Sequence, residues 1–66
     1  MKNSELKKRR NEMGLTQVEL AIGMGMKIDT YRKIESGVNI PNMKSIILMS
    51  KFFKLSVDDI VKWFTW

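Results

Sequence analysis

Neither cysteine nor histidine occurs among the 66 residues. Without cysteine no disulfide staples the chain and no thiolate is on offer to a metal; without histidine the usual zinc donor sets and the commonest general base are missing too. Both absences argue against an enzyme and against a metal or other cofactor. Proline occurs once, and no repeat, low-complexity stretch or linker interrupts the chain. No segment approaches the ~20 apolar residues of a membrane span, and the opening M-K-N-S-E-L-K-K lacks the apolar centre of a signal peptide. A cytoplasmic protein is expected. Acidic residues are short as well: seven against twelve Lys and Arg, for a formal charge of +5. Such an excess favours a polyanionic partner, although a charge of about 2 to 8 is also ordinary for a small soluble domain.

The length fits one domain, residues 1–66, at roughly 100 to 200 residues per domain. A chain this short buries only about 60% of the surface it exposes when unfolded, so stability is marginal unless a partner subunit contributes.

Five helices are expected. Ser4 suits an N-cap for a helix over about 5–13 with Leu6, Arg10 and Met13 on one face, stopped by Gly14. Thr16 with Glu19 three residues on forms a capping box, so a second helix starts at Gln17, with Val18, Ala21 and Met24 inward and Leu20 flanking them. Gly23 weakens this helix by about 1 kcal/mol relative to Ala, and Gly25 breaks it. A third helix follows over about 28–36, ended by Gly37. Its Tyr31, Ile34 and Glu35 share one side, and Ile28, Asp29, Arg32, Lys33 and Ser36 the other. Val38 to Asn42 reads as a loop, because Pro41 has no amide hydrogen and Asn42 can cap the next helix. Met43, Ile46, Ile47, Ser50 and Phe53 form the inward stripe of a fourth helix. Ser56 and Asp59 start a fifth, with Val57, Ile60, Val61 and Phe64 apolar. Asp58 and Asp59 could suggest acid–base chemistry, but a helix dipole and cap account for both.

Two short helices joined by a glycine turn over Thr16 to Glu35 are the pattern of a helix-turn-helix, in which one helix braces another that offers a polar face to the DNA major groove. The sequence resembles the Cro and CI-type (XRE-like) helix-turn-helix phage repressors from about Leu6 to Val61. The residues that carry the likeness are Leu6-x-x-x-Arg10, Gly14-Leu15-Thr16-Gln17, Leu20-Ala21, Gly25, Thr30, Ile34-Glu35-x-Gly37, Pro41 and Leu55-Ser56-Val57-Asp58-Asp59-Ile60. The resemblance implies a compact all-α, five-helix, lambda-repressor-like domain, with the second and third helices as its DNA-binding unit. It also implies a largely buried ion pair between Arg10 and Glu35. Ala21 and Gly25 are expected to be small because the two helices of the motif meet closely.

Positions matching the family's base-reading residues are Lys27, Ile28, Asp29, Arg32 and Lys33; those matching backbone contacts, or suited to them, are Gln17, Thr30, Arg10, Asn39 and Lys44. Arg32 and Lys33 can donate to guanine O6 and N7, Ile28 can pack on a thymine methyl, and Asp29 can accept from cytosine N4. Asp29 can equally neutralise Arg32 or Lys33, or reject wrong sequences. The loop Val38-Asn39-Ile40 lacks the basic residues many relatives have, so backbone attraction shifts to Lys44, Arg9, Arg10, Lys2, Lys7 and Lys8.

Aromatics concentrate at the C-terminal end. One small core has little room for Phe52, Trp63 and Trp66 besides Phe53 and Phe64, and exposed apolar surface marks an interface. The expected reading is a homodimer joined through Val57, Val61, Trp63, Phe64 and Trp66, bound to double-stranded DNA at an inverted-repeat operator; the alternative is a tail folded back on its own domain. The rival functions are an antitoxin or restriction-modification controller of the same fold, and a module that has lost DNA binding and meets a protein partner through the aromatic segment.

Overall fold

The chain's capping signals become helix boundaries in a computed structural model that describes residues 4–64. The helices are α1 (Ser4–Glu12), α2 (Gln17–Met24), α3 (Ile28–Glu35), α4 (Met43–Phe53) and α5 (Val57–Lys62), and the described residues hold no strand. The fold is all-α, as expected.

α1 is rich in charge and carries one fully buried apolar side chain, Leu6. Glu5 and Arg9 reinforce it with an i,i+4 ion pair at 2.8 Å. Two details differ from expectation: Ser4 is the first residue of α1 and not the cap before it, and Met13 is exposed. Met13 directly follows α1, its amide still donating to the Arg9 carbonyl at 3.1 Å, but its side chain is left in solvent.

At the start of α2, Thr16 Oγ1 accepts from the Glu19 amide at 3.1 Å while the Thr16 amide donates to Glu19 Oε1 at 2.9 Å, the reciprocal capping box. Leu20, Ala21 and Met24 are buried. Val18 is not: α2 turns it outward with Ile22, which leaves Leu20 as a core residue. Gly25 then closes the helix at φ 76°, in the left-handed region. A Cβ there would meet nothing within 4 Å, so Gly25 is required by its backbone conformation and not by close helix approach. The close approach falls at Gly23 instead, where a Cβ would come within 2.9 Å of the Phe52 ring.

α3 buries Tyr31, Ile34 and Glu35. Pro41 is buried in the following loop, and Asn42 caps α4 by accepting from the Ser45 amide at 2.9 Å. The inward side of α4 is Ser45, Ile46 and Met49, with Phe52 and Phe53 half-buried against the core. Met43 and Ile47, expected inward, are exposed. The run Ile46-Ile47-Leu48-Met49 offers two nearly equal apolar phases, and packing against α2 and α5 selects the one led by Met49. Ser56 Oγ accepts from the Asp59 amide at 3.1 Å to begin α5, so Asp59 serves the helix start as anticipated.

The core joins all five helices through Leu6, Leu20, Tyr31, Met49 and Ile60, each fully buried. The α4 C-cap, Lys54, has φ 57° with no glycine to relieve it. These two left-handed caps predict opposite results. Gly25→Ala is expected to cost about 1 to 2 kcal/mol, and Lys54→Gly to recover part of a similar penalty. Urea melts of the two variants check both signs.

Candidate nucleic-acid interface

Glu35 is the charged centre of the motif. It sits on the inward side of α3 with a relative exposure of 6%, where an unpaired carboxylate would cost several kcal/mol. Three elements answer it. From α1, Arg10 Nε donates to Glu35 Oε2 at 2.9 Å and Nη2 to Oε1 at 3.2 Å. From α2, Gln17 Nε2 donates to Oε1 at 2.9 Å. From α3 itself, the Tyr31 hydroxyl donates to Oε2. Burial pushes the Glu35 carboxyl up, but the donors from Arg10, Tyr31 and Gln17 outweigh it and hold the group below its ordinary value. Burial, aided by the neighbouring carboxylate, raises the Tyr31 phenol. The expected Arg10–Glu35 pair is therefore present, within a four-residue network.

That network engages Arg10 on all sides of its guanidinium. Arg10 spends its remaining Nη1 on the Leu15 carbonyl at 2.8 Å, and hydrogen bonding to Glu35 raises its pKa further. It braces α1 against the start of α2. Arg9 is likewise engaged, with Glu5 and with the Trp63 ring, whose centroid lies 4.7 Å from the guanidinium carbon. Gln17 has a second amide hydrogen left, at the first turn of α2. Its bond to Glu35 was not foreseen, since a glutamine at a helix start carries no sign of which way its amide turns.

The outer face of α3 is the opposite case. Lys27, Asp29, Arg32 and Lys33 are exposed, and none of their side chains has a hydrogen-bond or ion-pair partner among the described residues. Asp29 thus forms no ion pair with Arg32 or Lys33, despite suitable spacing. Ile28 differs from the other base-reading candidates, because it is half-buried and packs on the core.

Of the backbone candidates, Thr30 and Lys44 come together with Lys27 at a surface cleft between the α2–α3 turn and the start of α4, beside Asn42 and Ser45. Two cations and a hydroxyl beside the first turn of a helix suit a phosphate oxygen. Asn39 is exposed in the α3–α4 loop, away from this cleft's lining. Lys7 and Lys8 are exposed on α1, whereas Lys2 lies outside the described residues.

The apolar end of the chain is turned inward as far as it is described. Phe64 is buried in the domain's own core, and Val57, Val61 and Trp63 are half-buried against it. Trp63 meets Phe53 edge-on, with ring centroids 5.2 Å apart. Trp66 lies outside the described residues. The small core accommodates more aromatic surface than expected because Phe52 fills the space that Gly23 leaves open, and Phe53 and Trp63 stack edge-on over its rim.

A helix-turn-helix family model matches residues 6–60, and the chain belongs to that family. It is similar to the HTH-type transcriptional activator BcrR of Enterococcus faecalis, at 36% identity over 89% of this chain and 29% of that protein. It is also similar to the cryptic phage CTXphi transcriptional repressor RstR of Vibrio cholerae serotype O1, at 28% identity over 91% of this chain and 54% of the repressor. The chain therefore spans under a third of one relative and about half of the other. No solved structure matches it closely enough to be compared. Both relatives are named as transcription regulators. Among the described residues no helix is long and apolar enough to cross a membrane, and no cluster of acidic side chains could hold a metal ion.

Proposed function

We propose that the chain is a sequence-specific DNA-binding domain that regulates transcription as a single five-helix unit, with two copies seated on an inverted-repeat operator. The observation that carries this reading is the asymmetry of α3. One side is locked into the core through Tyr31, Ile34 and Glu35, and the other presents Lys27, Asp29, Arg32 and Lys33 without side-chain partners among the described residues. Such a helix, braced by α2, fits the major groove with its polar face toward base edges. Gln17, and Lys27, Thr30 and Lys44 around their cleft, supply backbone contacts that fix the register. Two copies are required because a two-fold operator reads one recognition helix in each half-site, about one helical turn apart.

The test is a gel-shift titration of the purified chain against the DNA upstream of its own gene, with scrambled DNA as competitor. A Kd near 10⁻⁸ M that weakens steeply with salt, and that scrambled DNA does not match, is the expected result. Equal affinity for both DNAs contradicts sequence reading.

A further inference from the structure

Asp29 is the anomaly of the outer face of α3. It stands exposed among Lys27, Arg32 and Lys33, on a chain of net charge +5. Arg32 and Lys33 follow it at i+3 and i+4, the spacings of a helical ion pair, yet among the described residues its carboxylate pairs with neither. Its place in the first turn of α3 suits the helix dipole, which stabilises the helix and does nothing for DNA binding. Against a duplex, a carboxylate is repelled by the phosphates and by every acceptor on the major-groove edge: guanine N7 and O6, adenine N7 and thymine O4. Only the exocyclic amines of cytosine and adenine donate there. The adenine amine is flanked by N7 on one side and by the partner's O4 on the other, whereas the cytosine amine has an acceptor, the partner's O6, on one side only. Cytosine is therefore the base that a carboxylate tolerates best.

Arg32 supplies the complement. It lies three residues on, about 4.5 Å along the helix axis, against about 3.4 Å for a base-pair step. Its guanidinium matches guanine O6 and N7. The two side chains thus reach one base pair or two neighbouring ones, and between them they answer both the amine and the acceptors of a C·G pair.

We propose that Asp29 is a specificity-determining residue that admits a cytosine amine within one base pair of the guanine met by Arg32, and that methylation of that amine shuts the site. The proposal rests on the DNA-binding reading above and adds the base that the site demands. In a duplex the cytosine amine keeps one hydrogen for its pairing partner and turns the other into the major groove. N4-methylation replaces the groove hydrogen, so the carboxylate loses its donor and faces a methyl. C5-methylation leaves the donor in place.

The test selects sites from a random duplex pool with the wild type, Asp29→Ala and Asp29→Asn. It then titrates the selected duplex carrying cytosine, N4-methylcytosine or 5-methylcytosine at the assigned position. The wild type is expected to prefer cytosine there by about tenfold over other bases. Asp29→Ala should lose that preference, and Asp29→Asn should shift it to adenine, whose N6 and N7 an amide matches; the other positions keep theirs. N4-methylation should weaken the wild type by about tenfold and leave Asp29→Ala within about twofold, while C5-methylation leaves the wild type within about threefold. Variants that keep the wild-type preference at every position overturn the proposal. So do variants that bind every sequence more tightly by a similar factor, which marks Asp29 as a source of phosphate repulsion alone. A wild type that selects no sequence sinks the DNA-binding reading and this proposal with it, whereas a selected operator indifferent to Asp29 sinks the proposal alone.

Discussion

Arg10→Met is expected to destabilise the domain by about 3 to 5 kcal/mol, because it leaves the Glu35 carboxylate buried without its cation. A domain below about 70 to 80 residues rarely has more than about 3 to 5 kcal/mol of stability in all. The variant should therefore be largely unfolded by circular dichroism at neutral pH. Tyr31 and Gln17 still donate to Glu35, but two neutral donors do not replace a guanidinium that supplies two hydrogen bonds and the countercharge. Adding Glu35→Gln to Arg10→Met should recover part of the loss, since it removes the uncompensated charge. A single variant as stable as the wild type would show that the pair contributes nothing.

The pH dependence has a definite direction. The folded-state pKa of Glu35 lies below the ordinary carboxylate value of 4.5. Its contribution to stability is then fully present above the unfolded-state pKa and is lost as pH falls through the lower folded-state value. Wild-type stability, measured by urea titration, should decline over that acid range. The gap between the wild type and Arg10→Met should narrow there too, because protonation removes the charge that the variant leaves unpaired.

The second large effect concerns DNA. Arg32→Ala should weaken operator binding by roughly 1 to 3 kcal/mol and relax preference at one operator position, because an exposed, unpartnered guanidinium on α3 is free to donate to guanine O6 and N7. Stability should barely change, since Arg32 is exposed. Lys44→Ala should differ in kind, weakening binding about equally on all sequences and lowering the salt slope by about 1. An Arg32→Ala loss that is equal on every DNA sequence would place Arg32 on the backbone.

Much of this was legible from residue types at fixed spacings. Thr16 with Glu19, Asn42, and Ser56 with Asp59 are local hydrogen-bond devices, and each forms where its spacing puts it. The two sides of α3 were equally plain, because Tyr31, Ile34 and Glu35 alternate with charge at helical period. What stayed hidden depends on packing between elements. A continuous apolar run does not fix the phase of α4: spacing alone points Met43 and Ile47 inward, whereas packing buries Met49. No local pattern shows that Phe52 lies over Gly23 or that Trp63 lies beneath Arg9. Nor does a local pattern show that Gln17 donates to Glu35, or that Arg10 donates to both Glu35 and the Leu15 carbonyl. The i,i+4 spacing of Tyr31 to Glu35 is a usable sign of the hydroxyl's partner.

The central claim is that the outer face of α3 reads base sequence. Its most direct test is selection from a random duplex pool by the purified chain, run in parallel with Arg32→Ala. The account predicts enrichment of an inverted repeat by the wild type, with one position per half-site losing its preference in the variant. A pool that stays random while salt-sensitive binding persists would contradict it.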